Sequence, residues 1–159
     1  MLQLRKFAYL SETIIQLKAM KDIIDLLGRA MLSFIFLYEA YDSIFYFRET
    51  KIKMTYYGLT WNQDLLLFGA IILLVFGGIM LLAGYRTGLA VFMLLLYWVP
   101  VTFIVHSFWN DPEPERRLQS ILFMKNIAIV GGMLMTWANG AGKKYSIKRL
   151  FATTHVPGA

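Results

Sequence analysis

Two long uncharged runs constrain the fold of this chain more than any other feature. No Asp, Glu, Lys or Arg occurs in residues 65–85 or in residues 87–110, and only Arg86 separates the two runs. A helix of about 20 residues, rising ~1.5 Å per residue, spans the ~30 Å hydrocarbon layer of a bilayer. Neither a strand nor a soluble core helix needs such a length. The pair therefore predicts a transmembrane helical hairpin that turns at Arg86.

The composition agrees with a membrane protein. The 159 residues are 58% hydrophobic and 16% charged, whereas soluble domains carry about 25% charge. This length predicts one membrane domain. The chain has no cysteine, which excludes disulfides, iron–sulfur ligation and thiol catalysis within it. We attribute the net charge of +6 to loop Lys and Arg near anionic lipid, and expect no nucleic-acid partner.

Two further apolar stretches complete the set of spans. Residues 30–47 are interrupted only by Glu39 and Asp42, and residues 118–142 only by Lys125. We predict an all-α fold, a four-helix transmembrane bundle with an N-terminal interfacial amphipathic helix. The spans are expected at about residues 28–47, 65–84, 88–106 and 119–138. The pairs Gly77-Gly78 and Gly131-Gly132 are expected to let helix backbones approach closely.

Three segments follow from this pattern. Residues 1–27 lack the apolar core and cleavage site of a signal peptide. In a helix, their Ile14, Leu17, Ile24 and Leu27 share one face, which predicts a helix lying along the cytoplasmic interface. A docking helix for a partner is the alternative. Residues 28–142 form the predicted transmembrane domain, and residues 143–159 a basic cytoplasmic tail.

The distribution of positive charge predicts the topology. Most of the 16 Lys and Arg residues lie in the N-terminal tail, in the turn at Arg86 and in the C-terminal tail. Because positively charged loops stay in the cytoplasm, we expect both termini on the cytoplasmic side of the inner membrane.

Charged groups inside the bilayer are costly, so Glu39, Asp42 and Lys125 are the first candidates for a site. With this topology both acids, Lys125 with its neighbour Asn126, and His106 all fall in the outer leaflet. Trp61 and Trp109 are expected at the same level as interfacial aromatic residues. An ion pair between Lys125 and Glu39 or Asp42 would be structural. The alternatives are a polar pocket or proton path at the depth of a quinone head group, and snorkelling without a partner.

Other chemistries lack their residues. A bis-histidine haem needs two histidines at one depth, but the second one, His155, is in the C-terminal tail. Copper and non-haem iron sites need more His, Cys or clustered carboxylate, so no metal site is predicted. No Ser, His and Asp set suggests a hydrolase.

The chain resembles the DoxX-like family. The resemblance lies in Gly28-Arg29, in the residues from Gly77 to Thr87 and in Gly140-Ala-Gly142. It is most specific in His106-Ser-Phe-Trp109 and Phe123-Met-Lys125-Asn126. It covers about residues 28–147 and implies a small four-helix membrane protein. The family takes its name from a thiosulfate:quinone oxidoreductase, and other members resemble partners in redox membrane complexes.

The chain departs from the family pattern in two places. Leu74 stands where many members carry a Glu, and Glu39-Ala-Tyr-Asp42 stands where a Gly-x-x-Lys is usual. If the family's charged groups act together, this chain has moved a carboxylate from the second span to the first. This either preserves a partner for Lys125 or marks the loss of a redox role.

The resemblance implies an accessory subunit of a membrane-bound, quinone-linked redox complex. Lys125, His106, Glu39 and Asp42 would then bind a quinone carbonyl or move protons. The alternative is a non-catalytic scaffold subunit, and a transporter ranks third. We expect no cofactor bound by this chain alone, a quinone as the candidate ligand, and lipids and other subunits as partners. Lys125→Met is expected to cost more stability than Glu39→Gln or Asp42→Asn, since it would strand both acids.

Overall fold

The structure is all-α. The computed structural model describes residues 2–139, with side chains except at positions 2–4, 6–8, 10 and 11. The predicted basic tail of residues 143–159, His155 and the glycines of Gly140-Ala-Gly142 lie outside the described residues. The helices are α1 Leu2–Phe45, α2 Phe47–Tyr56, α3 Gln63–Leu82, α4 Thr87–Val105 and α5 Glu113–Ala138, with a 3-10 turn at Phe108–Asn110.

Four long helices pack side by side. α1 packs on α3, α3 on α4 and α4 on α5, and α5 returns to contact α1, while short α2 lies against α1 and α3. The ring of Phe36 on α1 meets Trp98 on α4 edge to face at 5.1 Å. The buried residues at the centre of the bundle are all apolar: Phe36, Ala40, Leu74, Leu81, Ala90, Val91, Leu94, Trp98 and Met133.

Three of these helices have the length and composition to cross a membrane, namely residues 63–82, 87–110 and 113–138. They match three of the four predicted spans. The fourth predicted span, residues 28–47, is not among the three. It lies in α1 up to Phe45, ends at the first residue of α2 and carries Glu39 and Asp42. The apolar helices therefore indicate a membrane protein, and the crossing by α1 stays a prediction.

The N-terminal segment does not form a separate helix. α1 runs without interruption from Leu2 to Phe45, so the expected boundary near residue 28 is not a break in the backbone. No proline occurs before Pro100, and Gly28 alone does not stop a helix whose flanking residues favour it. The position of residues 1–27 along the membrane interface stays a prediction.

Two features of the structure differ from the sequence prediction: the start of α5 and the presence of α2. α5 begins at Glu113 and not near residue 119, because Pro114 is tolerated in a first turn and Glu113 and Glu115 favour the positive end of the helix dipole. α2 was not predicted. None of its residues is buried, and it carries no apolar stripe that would have marked it as a helix.

Candidate functional site

A buried arginine joins α1 to the end of α3. Arg29 is 1% exposed, and its Nε donates to Asp25 Oδ2 at 2.9 Å. Its Nη1 donates to the backbone oxygens of Leu81 at 3.3 Å and Leu82 at 3.1 Å. These carbonyls end α3, where a helix leaves oxygens without intrahelical partners and carries partial negative charge. The guanidinium therefore fixes the level of α1 against the α3–α4 turn.

The contacts of Arg29 and Gly88 show which chain segments share one end of the bundle. Arg29 reaches the end of α3, and a Cβ on Gly88 would lie 3.0 Å from Nε1 of Trp137, near the end of α5. Residue 29, the turn at Arg86 and the end of α5 are therefore at the same end. This is the grouping that the positive-charge pattern assigns to the cytoplasm.

A carboxylate and a phenol meet between α1 and α4. Tyr97 Oη donates to Glu39 Oε1 at 3.3 Å, and both side chains are half-buried. Glu39 was predicted as a site residue, but its partner is a tyrosine that the sequence analysis did not single out.

Two polar contacts join α4 to α5. Nδ1 of His106 lies 2.8 Å from Oε1 of Gln119, and Asn126 Nδ2 donates to Thr102 Oγ1 at 3.2 Å. Thr102 in turn donates to the backbone oxygen of Trp98 at 2.7 Å. On α4 these contacts are made by Trp98, Thr102 and His106. The three residues lie four apart, so they occupy one face of the helix. α4 thus has polar contacts to helices on both sides.

The predicted ion pair of Lys125 is absent from the described residues. Lys125 is exposed on α5, and no carboxylate among residues 2–139 lies within ion-pair distance of its Nζ. Successive helical residues are turned by about 100°, so Asn126 faces α4 while Lys125 points outward. The moved carboxylate therefore does not preserve an ion-pair partner for Lys125. Its other reading, the loss of a redox role, stays a prediction. Leu74, at the family's Glu position, is fully buried in the core.

We accordingly expect Lys125→Met to be nearly neutral, which reverses the expectation from sequence. The substitution removes an outward charge and strands no acid, so the free energy of unfolding should stay within about 0.5 kcal/mol of wild type. Thermal unfolding in detergent micelles measures this. A loss of about 3 kcal/mol, as for a broken buried pair, would contradict the geometry.

The other predicted residues lie at the end of the bundle opposite Arg29. Asp42 is half-buried, and its carboxylate forms no hydrogen bond or ion pair within the described part of the chain. Trp61 is 71% exposed and Trp109 50% exposed, and their position at the membrane interface stays a prediction. Among residues 2–139 no three His, Cys, Asp or Glu side chains are grouped as metal ligands would be.

Interactions at this end hold α2 and the loops together. Lys51 Nζ lies 2.7 Å from Asp64 Oδ1, and Gln63 Nε2 donates to Thr55 Oγ1 at 2.8 Å. Burial is the main cause of a raised pKa at Tyr57, and the neighbouring Tyr56 and the acidic Asp111 and Glu115 raise it further. The loop after α2 therefore lies near the start of α5.

Sequence reasoning missed Arg29, Tyr97, Thr102 and Gln119 as site residues. Arg29 was counted only as a positive charge. The available signal was its spacing from Ser33 and Phe36, which places all three residues on one helix face. The structure shows that this face is buried. Nothing in the sequence distinguishes Tyr97 from the other tyrosines, because its partner depends on how α4 is rotated against α1.

Helices of this length and apolarity, held together by arginine, carboxylate and amide contacts, define a helical membrane protein. The profile of the DoxX family matches residues 24–107, more than half of the sequence, and the chain belongs to this family. The match includes Arg29, Glu39 and Tyr97 and ends before α5. Comparisons with curated proteins and with solved structures gave no match.

Proposed function

We propose that this protein is an accessory subunit of a quinone-linked redox complex in the inner membrane, with both termini in the cytoplasm. The observation that carries the proposal is the hydrogen bond from Tyr97 to Glu39, which places a carboxyl group between α1 and α4. Ionisable groups at membrane depth are expensive, and they mark proton relays and ligand sites more often than packing.

The chemistry of this pair suits a quinone head group. Reduction of a quinone to a quinol consumes protons as well as electrons. The electrons would come from a redox centre on another subunit. Glu39 and Tyr97 would hold and pass protons or hydrogen-bond the quinone oxygen, and both are half-buried, so neither is fully enclosed by the bundle. His106 would be a second proton-bearing group near the outer surface.

Quinone binding is tested by ligand-induced stabilisation of the purified protein. A short-chain quinone at 100 times its Kd should stabilise the wild type by about 2.7 kcal/mol, measured as a rise in Tm in mild detergent. Tyr97→Phe and Glu39→Gln should each reduce this rise. The matched controls are Tyr41→Phe, at an exposed position outside the site, and Glu49→Gln on exposed α2. A wild type that does not respond, or controls that lose the response equally, would contradict quinone binding.

A non-catalytic scaffold role is the second candidate, and the exposure of α5 favours it. Met133 is the one fully buried residue of this 26-residue helix, and 16 of its residues are exposed and open to lipid or another subunit. Mild extraction followed by mass spectrometry separates the two functions. Stoichiometric partner subunits without quinone would support the scaffold, and partners with bound quinone would support the redox role.

A further inference from the structure

The outward face of α1 carries a seven-residue repeat of large apolar side chains. Their separations alternate between three and four residues, which is the spacing of the a and d positions of a coiled coil. Each is exposed, from 48% at Leu17 to 76% at Met31. This row, the outer seam, begins with Leu17, Met20, Ile24, Leu27, Met31 and Phe34.

The repeat continues as a ladder of aromatic rings to the end of α1. Phe34 stacks with Tyr38 at 6.5 Å between ring centres, and Tyr41 lies 4.3 Å from Phe45. All of these rings are at least half exposed. The outer seam therefore extends from residue 17 to residue 45 without a gap in the repeat.

The opposite face of α1 is the one that packs in the bundle. Ser33, Phe36 and Ala40 are buried there, with the same alternating spacing. Residues two apart on a helix are turned by about 200°, so Phe34 and Phe36 point in opposite directions. None of the described helices covers the outer seam, and it is available to a partner.

Lipid accounts for only part of this exposure. With 44 residues at ~1.5 Å each, α1 is roughly 66 Å long, about twice the ~30 Å hydrocarbon layer. When residues 28–45 cross the membrane, Leu17, Met20 and Ile24 stand beyond it. A row of exposed apolar side chains in water marks an interaction surface.

We propose that α1 pairs with α1 of a second copy of this chain, as a parallel two-stranded coiled coil along the outer seam. Copies inserted in one membrane share one orientation, so a two-fold axis along the membrane normal places each seam residue opposite itself. At the flanking g and e positions, Gln16 of one copy lies beside Lys21 of the other, so no like charges oppose each other.

The area of the seam suffices for a stable dimer. A half-exposed Leu, Met, Phe or Tyr leaves about 100 Å² of side chain uncovered. The whole seam therefore offers roughly 900 Å² per copy and roughly 1,800 Å² per dimer, within the ~1,200–2,000 Å² of stable protein interfaces. A second copy also matches the length of the seam, because it extends over the same aqueous and membrane segments.

Cysteine cross-linking tests the pairing. Because the chain has no native cysteine, only the introduced residue can form a disulfide. Full-length Leu17→Cys and Leu27→Cys in membranes should form disulfide-linked dimers on mild oxidation. The matched control is Ile15→Cys, since Ile15 is 66% exposed but lies on the other side of the helix from Leu17. It should stay monomeric. Equal cross-linking at all three positions, or none at residues 17 and 27, would overturn the proposal.

The mass of the detergent-solubilised chain, measured by light scattering, gives a second test. The wild type and Ile15→Glu should have the mass of a dimer, and Ile24→Glu with Leu27→Glu should have that of a monomer. The helical circular dichroism should be retained, because these positions lie outside the bundle core. A wild-type monomer or trimer, a complex with an unrelated protein on this face, or a double variant that stays dimeric would overturn the proposal.

Discussion

Replacing Arg29 with methionine is expected to lower the free energy of unfolding by about 3 kcal/mol, equivalent to roughly 10 °C in Tm. The variant removes the donor from the carbonyl oxygens of Leu81 and Leu82 and the guanidinium from Asp25. The Leu81 oxygen is buried and the oxygens of Leu82 and Asp25 are partly buried, and all three lose a charged partner that lipid cannot replace. Thermal unfolding in detergent micelles measures the loss.

Two further variants show that geometry and burial cause this effect. Arg29→Lys keeps the charge but lacks the planar guanidinium that donates to Asp25 and to the carbonyl oxygens at the end of α3 at the same time. An intermediate loss of stability is therefore expected. Arg117→Met removes an exposed arginine of α5 and should leave Tm near wild type. Equal losses for Arg29→Met and Arg117→Met would show that Arg29 is not a structural link.

Gly77→Val is expected to have the second-largest effect, a loss of about 2–3 kcal/mol. A Cβ at residue 77 would lie 2.8 Å from the Leu94 side chain and 3.3 Å from the backbone oxygen of Ala90. Leu94 is fully buried in the core and has no space to move into. The substitution should therefore push α3 and α4 apart, and the Tm in micelles should fall.

Gly131→Val is the matched control for this substitution. No atom lies within 4 Å of a Cβ built on Gly131, and valine favours a helix slightly more than glycine does. Its stability should equal or exceed that of the wild type. If both variants lost the same stability, the close approach of α3 and α4 at Gly77 would not be the cause.

The two glycine pairs of the chain illustrate which parts of the helix packing could be predicted from the sequence. Gly77-Gly78 and Gly131-Gly132 look alike as small-residue pairs, and both were expected to allow close helix approach. The first pair does, since a Cβ would lie 2.8 Å from Leu94 at Gly77 and 2.9 Å from Leu37 at Gly78. A Cβ on Gly132 would only make ordinary contact with Leu32 at 3.6 Å, and one on Gly131 would meet no atom within 4 Å. Apolarity predicts that a helix crosses the membrane, but which face meets a neighbour depends on the rotation of every helix in the bundle.

The candidate site shows the same division. Charged and polar residues in apolar runs identified Glu39, His106 and Asn126, and each does contact a neighbouring helix. Their partners could not be predicted, because a turn of about 100° separates Lys125 from Asn126. That single step places the amide against α4 and the ammonium outside. Which side chains meet between two helices depends on the tertiary packing, and the local sequence carries no signal for it.

We expect α1 to cross the membrane together with α3, α4 and α5. Single cysteines in this cysteine-free chain, probed with a membrane-impermeant maleimide on intact cells, test it most directly. Lys21→Cys and Arg86→Cys should be protected until the cells are permeabilised, whereas Thr60→Cys and Asn110→Cys should react at once. Labelling of Lys21→Cys and Thr60→Cys from the same side would mean that α1 does not span the bilayer, and would contradict the account.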